Sequence, residues 1–370
     1  MTRQYTQLII ILLSLVLTRS LVFSQDIVGG KNVEEGTYPF MVGIIESDEN
    51  NLLKAIECGA TVIADRWVMT AAHCLTRYDE NGRIIHTTGP EEIEVLIGTY
   101  DLEHPVQGFK RLKVERIYIN PSYERLFFDL PDGSTASIPD NDIALLRLEE
   151  SLLVPPVQLP QFDDNSWEID GLPVRVMGWG MENTQKYTRS KSLKEVTIEL
   201  IDRDICREYN FYDELVTNSM LCAGLSDPGQ KPAGGAQGDS GGPLLVQTTD
   251  GWLQLGIMSW GLAYTEYQKP GVYQKVSRHL QWIDDIMSTT STSEVLTGIE
   301  VLRVGKELRI LSQEDHGQAA LIIYTTDGRL VSNSTLNLWS GISKSQPLPS
   351  DTRNYIYYLR SPRGYVSGVR

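Results

Sequence analysis

The stretch of this chain best suited to covalent chemistry is Gly238-Asp239-Ser240-Gly241-Gly242-Pro243. Glycine reaches backbone conformations that other residues resist. A serine in such a turn can present its hydroxyl while neighbouring N–H groups point into one spot, as a nucleophile with an oxyanion hole requires. A serine hydroxyl needs a base. Thr70-Ala71-Ala72-His73-Cys74 supplies an imidazole, which accepts and returns a proton near neutrality. Asn141-Asp142-Ile143-Ala144-Leu145-Leu146 supplies a carboxylate that can orient the imidazole and stabilise its cation. Taken singly, each stretch has a plain reading: a Gly-rich hairpin, a buried structural histidine, a turn cap. Taken together they describe acyl transfer, with Ser240 attacking a carbonyl, His73 moving the proton and Asp142 behind it.

Order along the chain separates two architectures. Gly238-Asp239-Ser240-Gly241-Gly242 also embeds the G-x-S-x-G elbow of α/β-hydrolases, in which acid and histidine follow the serine. Here only His279 and His316 lie downstream. The order His73, Asp142, Ser240, together with Ile27-Val28-Gly29-Gly30, closely resembles the trypsin-like (chymotrypsin-fold) serine proteases over residues 27–287.

That resemblance implies an all-β fold: two six-stranded antiparallel barrels with the active site between them and a closing C-terminal helix. It implies catalytic roles for His73, Asp142 and Ser240 and an oxyanion hole at Gly238 and Ser240. It couples Cys58 with Cys74 and Cys206 with Cys222, each bridge worth about 3 kcal/mol; spacing alone leaves three pairings open. It has a freed Ile27 amine fold inward to pair with Asp239. Gly234 falls at the base of the primary specificity pocket, with Gly261 and Gly271 as its walls and Gln237 and Tyr264 beside them. Cleavage after Lys or Arg needs an acid at the position of Gly234, to pair with the buried cation. An open, uncharged pocket favours large apolar or aromatic residues before the cleaved bond. A disulfide that braces this pocket in the family is missing, with Ala236 and Tyr264 at its two positions. Tyr264 could then reach into the pocket, and Glu266 could add charge.

Bulk properties agree with an exported enzyme. The 370 residues suggest two or three domains, and 41% hydrophobic content supports a core. A net charge of −15 excludes the basic patch that nucleic-acid binding needs. Residues 1–24 read as a secretory signal peptide, with Arg3 ahead of an apolar run from Leu8 to Leu17. Gln25-Asp26 then forms a short propeptide that no trypsin-like activator should cut. Granzyme-like relatives carry a similar acidic dipeptide, removed by a dipeptidase. The expected protein is a secreted, monomeric zymogen acting on proteins or peptides, with a processing peptidase and a secretion machinery as partners. No cofactor is expected. In the loop where some relatives bind Ca²⁺, Asp101 and Glu103 are present but Gln107 and Lys110 replace acids, and no zinc-type spacing occurs. A catalytically silent surface-binding protein on the same fold is the alternative function.

Short β-branched runs separated by Gly, Asn, Asp and Pro predict the strands of both barrels. Val276 to Met287 predicts an amphipathic helix with Leu280, Ile283 and Met287 on one face. His279 in that helix reads as a surface residue, as do His86, His104 and His316. Tyr78–Pro90 and Tyr123–Pro139 read as inserted loops; the second either restricts the cleft or is a plain surface loop. Residues 288–293 (Ser-Thr-Thr-Ser-Thr-Ser) read as a linker. Residues 294–370 read as a small β-sandwich-like extension, with Asp327-Gly328 as a hairpin turn. The extension weakly resembles the sorting domains of the type IX secretion pathway; a carbohydrate- or surface-binding module is the other reading.

Overall fold

The structure is a computed structural model. It describes residues 30–79, 83–129, 135–183, 188–209, 212–213, 215–225, 234–235, 238–261, 269–290, 294–295, 299–304, 307–313, 317–325, 330–338, 343–347, 355–361 and 364–369.

Six strands close the first barrel: β1 (Met41–Glu46), β2 (Ile56–Ala64), β3 (Trp67–Thr70), β4 (Ile93–Ile97), β5 (Lys110–Ile119) and β6 (Ala144–Leu148). Neighbours pair antiparallel in the ring order β1-β2-β3-β6-β5-β4. Six more form the second: β7 (Pro173–Gly178), β8 (Lys194–Ile201), β9 (Met220–Gly224), β10 (Pro243–Thr248), β11 (Gly251–Trp260) and β12 (Gly271–Lys275). Their ring order, β7-β8-β9-β12-β11-β10, repeats that of the first barrel. Closure removes exposed sheet edges. The two-residue strand Lys31–Asn32 adds to β8 from outside.

Inward residues are β-branched or aliphatic. Val42, Ile44, Val62, Val68, Val95 and Leu146 fill the first barrel, and Val174, Val176, Ile198, Leu200, Leu244 and Leu255 the second. The first cluster continues through Met177, Trp179, Leu245 and Ile257, so the core crosses the junction between barrels. A 3₁₀ turn (Val276–His279) leads into helix α1 (Leu280–Thr290). Leu280 and Ile283 are buried in the first cluster and Met287 is partly buried against it, the face read from the 3.6-residue period. Among the described residues no helix is long and apolar enough to cross a membrane.

Four expectations need correction. Both inserted segments contain hairpins: Thr76–Tyr78 pairs with Ile84–Thr87, and Glu124–Asp129 with Thr135–Asp140. In the second, Leu126 and Phe128 are partly buried and Phe127 is 49% exposed, a period of two that the neighbouring turn residues masked. Together with buried Ile138, Leu126 and Phe128 share a cluster with Trp260 of the second barrel and with Tyr212 from the segment between β8 and β9. The helix runs to Thr290, so residues 288–290 are not linker; no Gly or Pro stops the backbone ladder there, and 291–293 lie outside the described residues. His279 is buried rather than exposed.

In the C-terminal extension, Ile299–Val304, Glu307–Ser312 and Ser343–Pro347 form a three-stranded sheet. Glu294–Val295, Gly364–Val369, Tyr355–Ser361, Gly317–Thr325 and Leu330–Leu338 form a five-stranded one. Val301, Leu308 and Ile310 of the first share a buried cluster with Leu321, Ile323, Leu338 and Leu359 of the second, which makes a sandwich. Strand Ser343–Pro347 escaped the sequence reading because Ser-Lys-Ser-Gln-Pro carries no apolar alternation. Asp327 and Gly328 lie outside the described residues, but the strands they join pair antiparallel.

Candidate active site

Each candidate residue sits where a strand begins or ends. His73 lies in a 3₁₀ turn (Ala72–Leu75) just after β3, Asp142 two residues before β6, and Ser240 in the turn ahead of β10. Strands β3 and β6 pair directly, with Thr70 opposite Ala144, and this brings His73 and Asp142 together. His73 Nδ1 is 2.7 Å from Asp142 Oδ2, and the His73 backbone N–H donates to Asp142 Oδ1 at 2.9 Å.

Asp142 is completely buried. Burial alone would raise its pKa. The charge of the imidazole, the hydrogen bonds from the His73 ring and Ser259 hydroxyl, and the His73 amide outweigh it and hold the carboxyl below the ordinary range. An ionised Asp142 assigns the proton to His73 Nδ1 and leaves Nε2 of the neutral ring as a base.

The serine turn is fastened to both barrels. The Ser240 carbonyl accepts from Gly59 N–H of β2 at 2.8 Å, and Gly241 N–H donates to the Met258 carbonyl of β11 at 2.9 Å. Gly238 and Gly241 have φ of +95° and +78°. At Gly241 a Cβ would lie 2.3 Å from both Gly59 O and Thr70 Oγ1, so only glycine admits this approach. The N–H groups of Gly238 and Ser240 donate to no other described residue. Ser240, Gly238 and His73 line one open cleft of about 590 Å³, along with Cys58 and Cys74.

Two disulfides join Cys58 to Cys74 and Cys206 to Cys222. The first abuts His73; its sulfurs and the imidazole cluster closely, but sulfurs bonded to each other offer no thiolate to a metal. Asp239 is buried and accepts from Gly180 N–H at 2.7 Å. Its expected partner Ile27 lies outside the described residues, as do Gln237 and Tyr264, which the resemblance assigned to a specificity pocket. Of the other positions assigned to it, Gly234 has no described residue within 4 Å of where a Cβ would lie. Gly261 directly follows β11, and Gly271 opens β12.

Sequence reasoning missed the support behind Asp142. Ser259 Oγ donates to Asp142 Oδ2 at 2.5 Å. Gln274 Oε1 accepts the Asp142 backbone N–H at 2.8 Å. Gln274 Nε2 donates to the Ser219 carbonyl at 2.7 Å and lies 2.7 Å from His279 Nε2. His279 Nδ1 is 3.3 Å from Asn120 Nδ2. Because Gln274 donates to it, His279 Nε2 must be unprotonated. Desolvation lowers the pKa of this imidazole to about 4, against a smaller raising influence of Asp140. The one available signal was a glutamine inside the apolar run Gly271–Val276, since a buried polar group needs partners.

Residues 27–283 match the family model described as Trypsin. The chain is 30% identical to transmembrane protease serine 9 of Rattus norvegicus over 280 residues, 73% of this chain and 23% of that protein. It is also 30% identical to vitamin K-dependent protein C of Oryctolagus cuniculus over 267 residues, 70% of this chain and 51% of that protein. The chain thus spans between about a quarter and a half of the length of these relatives.

Proposed function

The chain belongs to the trypsin family of serine proteases, and from that premise we propose that it is a secreted serine endopeptidase working through an acyl-enzyme on Ser240. The observation that carries this reading is the 2.7 Å contact of His73 Nδ1 with a buried Asp142, in a cleft that His73 shares with Ser240. His73 Nε2 takes the Ser240 proton as the hydroxyl attacks the scissile carbonyl, then delivers it to the leaving amine. Asp142 stabilises the imidazolium. The N–H groups of Gly238 and Ser240 receive the developing oxyanion; such a donor is typically worth about 3 kcal/mol in the transition state. Water then repeats the sequence on the acyl-enzyme.

Gly234, Gly261 and Gly271, without charge or bulk, favour a large apolar or aromatic residue before the cleaved bond. Ile27 activates the enzyme by pairing with Asp239 once residues 1–26 are removed, and residues 294–370 form a sorting domain for export. Labelling by an organofluorophosphate tests the central claim. The reagent should attach at Ser240 in the processed chain and fail to attach in Ser240→Ala; equal labelling of both would overturn it.

A further inference from the structure

The cleft beside Ser240 extends away from the pocket assigned above. It touches Ser240 and His73 but none of Gly234, Gly261 or Gly271. If those glycines receive the residue before the cleaved bond, this cleft receives the residues after it. Its lining is acidic: it carries five carboxylates, Glu57 among them, against two guanidinium groups. Glu92 is occupied by His86 and the Gly89 N–H. Glu46, Asp48, Glu57 and Glu91 form no ion pair with any described residue. Of the two cations, Arg189 is engaged by the Ile56 carbonyl.

Glu57 is set apart by the backbone. In the pairing of β1 with β2, Ile44 faces Cys58 and Ile45 faces Ile56, so the register skips Glu57. It is the extra residue of a β-bulge, and a bulge re-aims a side chain out of the regular pleat. Two residues further along β2, Gly59 N–H bonds the Ser240 carbonyl. At a strand rise of about 3.3 Å per residue, Glu57 stands about 7 Å from that anchor. An extended substrate advances at the same rate, which puts its second residue after the cleaved bond level with Glu57. The Glu57 carboxyl is also held above the ordinary range: burial raises it and, with Glu46 adding to the rise, outweighs the opposing pull of Arg189 and, more weakly, Arg77.

We propose that Glu57 is a specificity-determining residue that selects Lys or Arg as the second residue after the cleaved bond. The inference rests on the proteolytic reading above. A partly exposed ion pair contributes up to about 1 kcal/mol, a preference of about fivefold.

The test measures kcat/KM of the full processed chain on quenched fluorescent peptides identical except for Lys, Ala or Glu at that position. Active enzyme is counted by organofluorophosphate titration. The Lys peptide should exceed the Glu peptide by up to about fivefold, with the ratio shrinking as salt is raised. In Glu57→Gln the ratio should fall to near one, and in Glu57→Lys it should invert. Cleavage with equal rates for Lys and Glu overturns the inference and leaves the proteolytic reading intact. A preference that survives Glu57→Gln overturns the assignment to Glu57. Absence of any Ser240-dependent cleavage overturns both.

Discussion

His279 supplies a pH-dependent stability whose size follows from its burial. The imidazole is buried behind Asp142, and its pKa is lowered to about 4 from an ordinary 6.5. A base whose pKa falls on folding binds its proton more readily when unfolded. Its contribution to stability is therefore intact above pH 6.5 and is lost as the pH falls toward 4. Between pH 7.5 and pH 5 the loss works out at about 2 kcal/mol, and the full shift amounts to about 3 kcal/mol. The same proton would set an Nε2–H against the Gln274 amide donor, loosening the group that accepts the Asp142 N–H. The groups facing the ring set the balance: Asp140 raises its pKa, Arg278 lowers it, and neither outweighs desolvation. Other carboxylates also titrate in this range, so the assay compares urea unfolding of the wild type and of His279→Gln, disulfides intact, at both pH values. The variant keeps an acceptor for Gln274 without a titrating base. Its loss between pH 7.5 and pH 5 should be smaller than that of the wild type by about 2 kcal/mol. Equal losses would refute the claim that His279 is folded in neutral form.

Ser259→Ala removes the hydroxyl that donates to Asp142 at 2.5 Å. A kcat lower by about tenfold, or about 1.4 kcal/mol, with KM unchanged and recovery in Ser259→Thr, is expected from steady-state kinetics; a change confined to KM would point to substrate binding instead. Mass spectrometry of the active form should find Ile27 as its first residue, and an active form that retains Gln25 would refute activation through the Ile27 amine.

The candidate site was legible in the sequence because the serine turn, the histidine and the aspartate of the proposed chemistry each carry a local signature. Ser240 needs its glycines at +95° and +78° whatever surrounds them, and β-branched runs announce strands before any partner is known. The polar residues behind Asp142 carry no such signature. Gln274 and His279 lie five residues apart but join Asn120 and Asp142, more than a hundred residues away, only when β12, the 3₁₀ turn after it, the end of β5 and the residues before β6 converge. The hairpin Glu124–Asp140 was misread for a related reason: its apolar face is visible, but what makes it a face is Trp260 of the second barrel and Tyr212 of the segment before β9.

The sequence by itself announced β-strands through both halves and the extension, because these depend on residue type and on periods of two; its motifs carried the resemblance that implied two barrels and named the candidate residues Ser240, His73 and Asp142. Tertiary structure alone decided that His279 is buried, that Asp142 is held by Ser259 and Gln274, and that Glu57 leaves its ladder to enter the cleft. The reason is physical: desolvation and hydrogen-bond partnership belong to groups brought together by folding, and no stretch of chain contains them in advance.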